Sequence, residues 1–330
     1  MTVLDRLDRT LLEQLQARFP LVPRPYSALA QDLGLKEPQV LERIQRLKAA
    51  RIIREISAIF DTRRLGYQST LVAFHVPDGT LEEAAAQVSA HSGVSHNYAR
   101  PHHYNLWFTL AVPPGKSLVP AIELMARQAG VEDWLNLPAL RVFKIKTHFR
   151  MVQGGGAKIS AEPARSEMDD RTFTTADIPI VRALQKDLGL VPRPFAEPAR
   201  WLGAGEIELL STARELQTAG VMRRFGAVLR HRKVGYTANG MACWVVPQSK
   251  IEETGRRAAE YPQVSHCYQR PTHPPRWPYS LFTMIHGQNK DKVEAVVAQL
   301  AQETGIEPYE VLYSTREFKK ERVRYFEEEA

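Results

Sequence analysis

The chain has 330 residues, 44% of them apolar and 25% charged, and its 44 lysines and arginines outnumber 37 aspartates and glutamates to give a net charge of +7. That length is too great for one ordinary compact domain and suits two to four small ones, and with no run of about 18 apolar residues the sequence offers no helical membrane span. A basic field concentrates anions, so the expected partner is a polyanion, either nucleic acid or a small polycarboxylate.

The opening stretch MTVLDRLDRTLLEQL is amphipathic and charged. It lacks the continuous apolar core of a signal peptide, so the expected location is the cytoplasm. Helical apolar spacing runs from Leu4 to about Phe19 through Leu7, Leu11, Leu12 and Leu15. A short helix, YSALAQDLG, ends at Gly34, and a third runs from Glu37 to about Ala50 with Val40, Leu41, Ile44 and Leu47 on one face. This is a helix-turn-helix pattern, and RIIREISAIFD then reads as the alternating strands of a wing. After Gly66-Tyr67 the order becomes strand (STLVAFHV), helix (TLEEAAAQVSAH), strand (VSHNYAR), strand (NLWFTLAV), helix (SLVPAIELMARQ) and strand (ALRVFKIKTHF). That βαββαβ order is the ferredoxin-like arrangement.

The same series then recurs. LVPRPY at 21–26 returns as LVPRPF at 190–195, which sets Arg24 against Arg193 at an offset of 169 residues. Asp8 and Asp177, Arg54 and Arg223, Ala58 and Ala227, Gly66-Tyr67 and Gly235-Tyr236, and Phe149 and Phe318 share that offset. VSHNYARPHH at 94–103 matches VSHCYQRPTH at 264–273, and YNLWFT at 104–109 returns as YSLFT at 279–283 after an insertion, PPRWP. The resulting division is a winged helix-turn-helix over 1–66, a ferredoxin-like domain over 67–150, a glycine-bearing linker over 151–172, a degenerate winged helix over 173–235 and a second ferredoxin-like domain over 236–330. The fold class is α+β, a tandem repeat that forms a pseudo-dimer in one chain. Cys243 and Cys267 are too few for a disulfide framework and too far apart for a CxxC motif, so both are expected as free thiols.

Nearly the whole of each copy resembles the Lrp/AsnC regulators, in which a winged helix feeds a ferredoxin-like domain that dimerises through its sheet. The paired SHxYxRPxH segments, with YNLWFT and LVPRP, resemble more specifically the siroheme decarboxylases, here fused as in the NirD and NirL proteins. The resemblance implies removal of two acetate carboxyl groups, as carbon dioxide, from siroheme to give 12,18-didecarboxysiroheme in haem d1 biosynthesis. It implies no required cofactor, because the iron-containing tetrapyrrole is the substrate. The alternatives are an Lrp/AsnC-like transcription regulator and a tetrapyrrole carrier or sensor without turnover. Partners other than siroheme are not expected: no nucleic acid and no membrane, with an internal pseudo-dimer open to further self-association.

The residues themselves carry a chemistry. On a strand, residues two apart share a face, so His96, Tyr98 and Arg100 line up, as do His266, Tyr268 and Arg270, with His103 and His273 beyond an Arg-Pro bend. The four histidines are the expected catalytic groups, since imidazole titrates near working pH, and His96 or His266 is the expected axial ligand if either approaches the substrate iron. Guanidinium binds carboxylate in a fork, so Arg100, Arg270, Arg24, Arg193, Arg54 and Arg223 are the expected carboxylate holders, with a salt-bridged surface role held equal for Arg24 and Arg193. Tyr98, Tyr268, Tyr104, Trp107, Trp277 and Tyr279 offer flat faces to a macrocycle. Phe108 and Phe282 read as sheet core. Lys144, Lys146, His148 and His102 fall outside the shared set, the two lysines reading as a solvated strand edge. With no lysine, metal or pyruvoyl motif in view, the electron sink for decarboxylation falls to the conjugated ring, and a histidine cation is expected to protonate the product. Against DNA reading, the helix GAGEIELLSTARELQTAG of the second copy sets Glu206, Glu208 and Glu215 against Arg214 alone, while the first keeps Arg43, Arg46 and Lys48 beside Glu37 and Glu42.

Overall fold

The computed structural model describes residues 4–145, 171–229 and 238–327. Most of the expected linker (151–170), Lys146, His148, Phe149 and the Gly235-Tyr236 pair lie outside the described residues. The first copy runs α1 (Arg6–Ala17), α2 (Pro25–Leu33), α3 (Glu37–Ala49), β1 (Ile53–Phe60), β2 (Gln68–Phe74), α4 (Leu81–Ala90), β3 (Val94–Ala99), β4 (Leu106–Val112), α5 (Leu118–Gln128), β5 (Trp134–Pro138) and β6 (Arg141–Ile145). The second runs α6 (Ile178–Leu184), α7 (Ala196–Trp201), α8 (Glu206–Thr218), β7 (Met222–Leu229), β8 (Ala238–Trp244), α9 (Ile251–Glu260), β9 (Val264–Gln269), β10 (Leu281–Gly287), α10 (Lys290–Thr304), β11 (Tyr309–Tyr313) and β12 (Arg316–Lys320). Local chemistry sets the helix ends. Asp5 and Asp8 bond each other's backbone N–H in a capping box that starts α1, and Gly34 closes α2 in the left-handed region at φ 65°.

The wing departs from expectation. Each copy supplies one strand rather than a hairpin, and β1 and β7 pair antiparallel, with Ser57 opposite its equivalent Gly226. A single strand leaves a row of backbone donors and acceptors unmade, and the two copies satisfy each other's. Both three-helix units therefore share one core, in which Leu11, Leu15, Ile44 and Leu47 meet Val181, Leu209, Leu216 and Phe225.

The last strand of each copy is also exchanged. β5 takes the place expected for 139–149, pairing with β2 from Phe74–Trp134 to Thr70–Pro138, while β6 crosses to lie beside β9 and β12 crosses to lie beside β3. The two five-stranded sheets are thus β12-β3-β4-β2-β5 and β11-β8-β10-β9-β6. PPRWP lengthens the second copy, so beyond it the true offset is 175: Phe143 matches Phe318 and Lys144 matches Lys319 by their partners on β9 and β3. The pairing of Phe149 with Phe318 is corrected accordingly, and Lys144, set outside the shared set, has Lys319 as its equivalent. Nor is Lys144 a solvated edge residue. Its Nζ donates to the Tyr261 carbonyl, and Lys319 donates to the Ser89 and His91 carbonyls, each closing the C-terminal end of a helix in the copy it visits.

Between the sheets lies a further core of Ala73, Trp107, Leu135 and Leu137 from one copy and Met241, Cys243, Phe282 and Leu312 from the other. Both cysteines are buried free thiols, as expected.

The ribbon can lie on α1 only because position 226 has no side chain: a Cβ there would stand 2.4 Å from the Leu15 carbonyl oxygen. Gly226→Ala is expected to cost about 1–3 kcal/mol through this overpacking. The measurement is a lowered denaturant midpoint at constant m-value, and an unchanged midpoint would contradict the close approach.

Candidate active site

The pairing of β3 with β4 slips by one residue between Val94 and His96, and that of β9 with β10 slips at the equivalent point, between His266 and Val264. Such a bulge re-aims a side chain. Here it turns a buried serine toward the histidine that follows it: Ser95 Oγ lies 3.0 Å from His96 Nδ1, and Ser265 Oγ lies 2.8 Å from His266 Nδ1. Occupying Nδ1 fixes each ring and leaves Nε2 as the nitrogen for chemistry. Tyr98 and Tyr268 stand two residues on, their rings 6.2 Å and 6.0 Å from those of His96 and His266.

The two histidines share one electrostatic neighbourhood. Burial pushes His96 down to about 4, and the nearby Lys320, His266 and Arg54 push in the same direction. Lys320 arrives on the exchanged strand, directly opposite His96, and Arg54 arrives on the wing, its Nη1 donating to the Lys320 carbonyl at 3.1 Å. On the other side, burial raises the Tyr268 phenol while Arg270, Arg223 and Arg63 favour its ionised form. Sheet, exchanged strand and wing therefore meet in a neighbourhood rich in cations.

The structure divides the predicted set. Arg100 is buried and Arg270 half-buried between the sheets, where Arg100 donates to the Leu312 carbonyl and Arg270 to the Leu137 carbonyl, each in the opposite copy. Burial lowers both to about 10, and they serve as cross-ties rather than as exposed carboxylate forks. His103 and His273 lie at the far ends of their strands, past Arg100 and Arg270. There the exposed His103 pairs with Asp133 at 3.0 Å and stacks on His75 at 4.0 Å, while His273 Nε2 lies 3.1 Å from the Asn136 carbonyl oxygen. His273 also lines an open cleft of about 370 Å³ with Glu132, Trp134, Asn136 and Arg276.

Tyr104, Trp107 and Trp277, expected to face a macrocycle, are at most 1% exposed. They fill the core between the sheets, the insertion serving to deliver Trp277 to within 5.3 Å of the Trp107 ring. Tyr279 packs on Trp277 and donates to Glu310. Arg24 and Arg193 are exposed and ion-paired with Glu37 and Glu206, which favours the surface role of the two held equal. Arg223 forks onto a single oxygen of Asp61 at 3.0 and 2.8 Å. The cations of α3 are likewise engaged: Arg43 with Asp5 and Asp8, Arg46 with Asp8, and Lys48 with Asp187. A groove-reading helix needs such charges for phosphate.

Sequence reasoning missed Ser95, Ser265, Lys320, Asn239 and His286. The serines stand in both copies as VSH, a signal that was available. Lys320 needs the strand exchange to be seen, and His286 has Ala111 as its counterpart by strand register, so the repeat could not reveal it.

Residues 64–144 and 233–319 match the model of an AsnC-like ligand binding domain, and residues 8–54 and 177–223 match that of a siroheme decarboxylase NirDL-like HTH domain. A siroheme decarboxylase of Hydrogenobacter thermophilus is 43% identical over 97% of this chain and 95% of its own length. Among solved structures, the siroheme decarboxylase NirDL superposes with a TM-score of 0.77 at 40% identity, covering 98% of this chain and 96% of that one. The same protein in complex with an iron-uroporphyrin III analogue gives a TM-score of 0.77 at 39% identity, with the same coverage.

With its ring held near 4, His96 is neutral at pH 7. An unfolded histidine binds its proton at about 6.5, so unfolding takes up a proton in the window between these values and stability falls as pH drops through it. His96→Gln is expected to flatten that part of the stability profile, measured by denaturant midpoints at several pH values from 7 to 4.5.

Proposed function

The chain belongs to the siroheme decarboxylases of the fused NirDL kind, and from that membership we propose that its reaction runs in the neighbourhood of His96 and His266. It is a carboxy-lyase that decarboxylates siroheme. The finer reading is that two acetate side chains each lose their carboxyl group as carbon dioxide to give 12,18-didecarboxysiroheme, in the cytoplasm, within haem d1 biosynthesis. One observation supports the placement above the others: each copy sends one serine-oriented histidine into the same neighbourhood, and the surrounding charges there are cationic.

Siroheme carries eight carboxylates. Arg54, Lys320 and Arg63 are the cations that would meet those that stay, Arg223 being held by Asp61, and a polyanion offsets the mutual repulsion of these cations. When an acetate breaks, the C–C electron pair passes into the conjugated ring, so no cofactor of the protein's own is required. Withdrawing the departing carboxylate from water favours its conversion to neutral carbon dioxide. The methylene left behind then takes one proton to become a methyl group. His96, held near 4, is neutral at pH 7 and does not begin as the expected cation. It serves as a hydrogen-bonding imidazole against the substrate, and the proton comes from His266.

Anaerobic incubation of siroheme with the purified protein, followed by mass measurement of the tetrapyrrole, tests the reading. Two successive losses of carbon dioxide are expected, whereas an unchanged mass with bound tetrapyrrole would indicate a carrier. His266→Ala is expected to lower the rate by about 10²–10⁴-fold, the range for a lost general acid. Arg54→Ala is expected to weaken siroheme binding and its salt dependence together.

A further inference from the structure

Resting on the decarboxylase reading, we propose that proton delivery belongs to the second copy alone, through a chain running from His286 by way of Ser265 to His266. Ser265 Oγ lies 2.8 Å from His266 Nδ1 and 2.6 Å from His286 Nε2, and so bridges the two rings. His286 Nδ1 in turn lies 2.5 Å from Asn239 Oδ1. An amide oxygen accepts only, so His286 Nδ1 carries a hydrogen and its Nε2 is the nitrogen that exchanges a proton with the serine. A third Ser265 contact, to the Met284 carbonyl, is longer at 3.3 Å.

The first copy has the bulge, the serine and the histidine, and among the described residues no second imidazole bonded to that serine. Ser95 Oγ meets Thr109 Oγ1 at 2.7 Å. By strand register, Ala111 stands where His286 does and Ser69 where Asn239 does. A chain of hydroxyls near neutral pH has no proton to give up, while imidazole does. The two copies thus orient their histidines alike and supply only one of them with protons.

The step balances as follows. His286 begins as imidazolium, with Nδ1–H donated to Asn239 and Nε2–H donated to Ser265, and the serine hydroxyl is donated to His266 Nδ1. As the acetate C–C bond breaks and carbon dioxide leaves, the pair on the methylene takes the proton from His266 Nε2. His266 Nδ1 takes the serine proton, and the serine takes that of His286. His286 ends neutral, His266 ends neutral with its hydrogen moved to Nδ1, and the product gains one hydrogen in place of one carboxylate. The half-buried ring of His286 then regains a proton from water. His286 touches no substrate in this scheme and is a positioning and relay residue.

The test uses the full-length protein with anaerobic siroheme, comparing wild type with His286→Ala and His286→Gln. Both variants are expected to lose about 10- to 100-fold in kcat, with siroheme Kd and thermal midpoint held. Added 4-methylimidazole is expected to restore part of the loss in His286→Ala. Wild-type kcat in either variant, or a loss that imidazole does not relieve, overturns the relay while leaving the decarboxylase reading intact. A wild type that releases no carbon dioxide from siroheme overturns both.

Discussion

The exchange of the last strand between copies is the constraint from which the rest of the architecture follows. A four-stranded ferredoxin-like sheet leaves β3 and β9 with an open edge, and an open edge is a row of unmet hydrogen-bonding groups. Each copy closes the other's edge with β12 or β6, and lysines on those strands anchor the crossing at helix ends. The histidine-bearing strands become interior, and the half-buried His96 is brought beside Lys320 and Arg54, which together with burial lower its hold on a proton. After β12 the chain is carried into the winged-helix core, where Arg322 bonds Glu55, Ser57 and the Ala58 carbonyl and Tyr325 bonds Thr62. Sheet and wing are consequently held in one arrangement.

The buried guanidinia illustrate how charge is divided between structure and chemistry. Taking Arg100 and Arg270 out of water is costly unless their hydrogens find acceptors. Each finds one backbone carbonyl in the other copy, and each keeps one buried Nε without a hydrogen-bond partner. Even lowered to about 10 they remain charged at neutral pH. Their charge is spent on tying the two copies together, and the helix-turn-helix surface has turned its own cations onto Asp5, Asp8 and Asp187.

Much of this was legible in the sequence because duplication makes a pattern visible twice. The helices, the ferredoxin-like order and the His-x-Tyr-x-Arg strand follow from apolar periodicity and from the match of 94–103 with 264–273. What was not legible is where strands go once the chain is free to choose between copies. REFKK at 316–320 resembles RVFKI at 141–145, yet the insertion hides the match, and neither segment states whose sheet it joins. Aromatic residues misled for a related reason. Trp107 and Trp277 suit the face of a macrocycle as well as they suit a core, and only the meeting of two sheets decides for the core.

Repetition also has a limit as a guide, and the limit is informative. A search for matched residues finds what both copies keep, which here is the machinery of orientation: the bulge, the serine, the histidine and the tyrosine. A decarboxylation that ends in protonation needs in addition a source of protons, and one source suffices for a site that the two copies share. In a homodimer any such source would appear twice, at equal distances from the substrate. Fusing the copies frees each position to change alone, so that Ala111 and His286 can stand at one structural place. The functional asymmetry of the molecule is therefore to be sought among the residues that break the repeat.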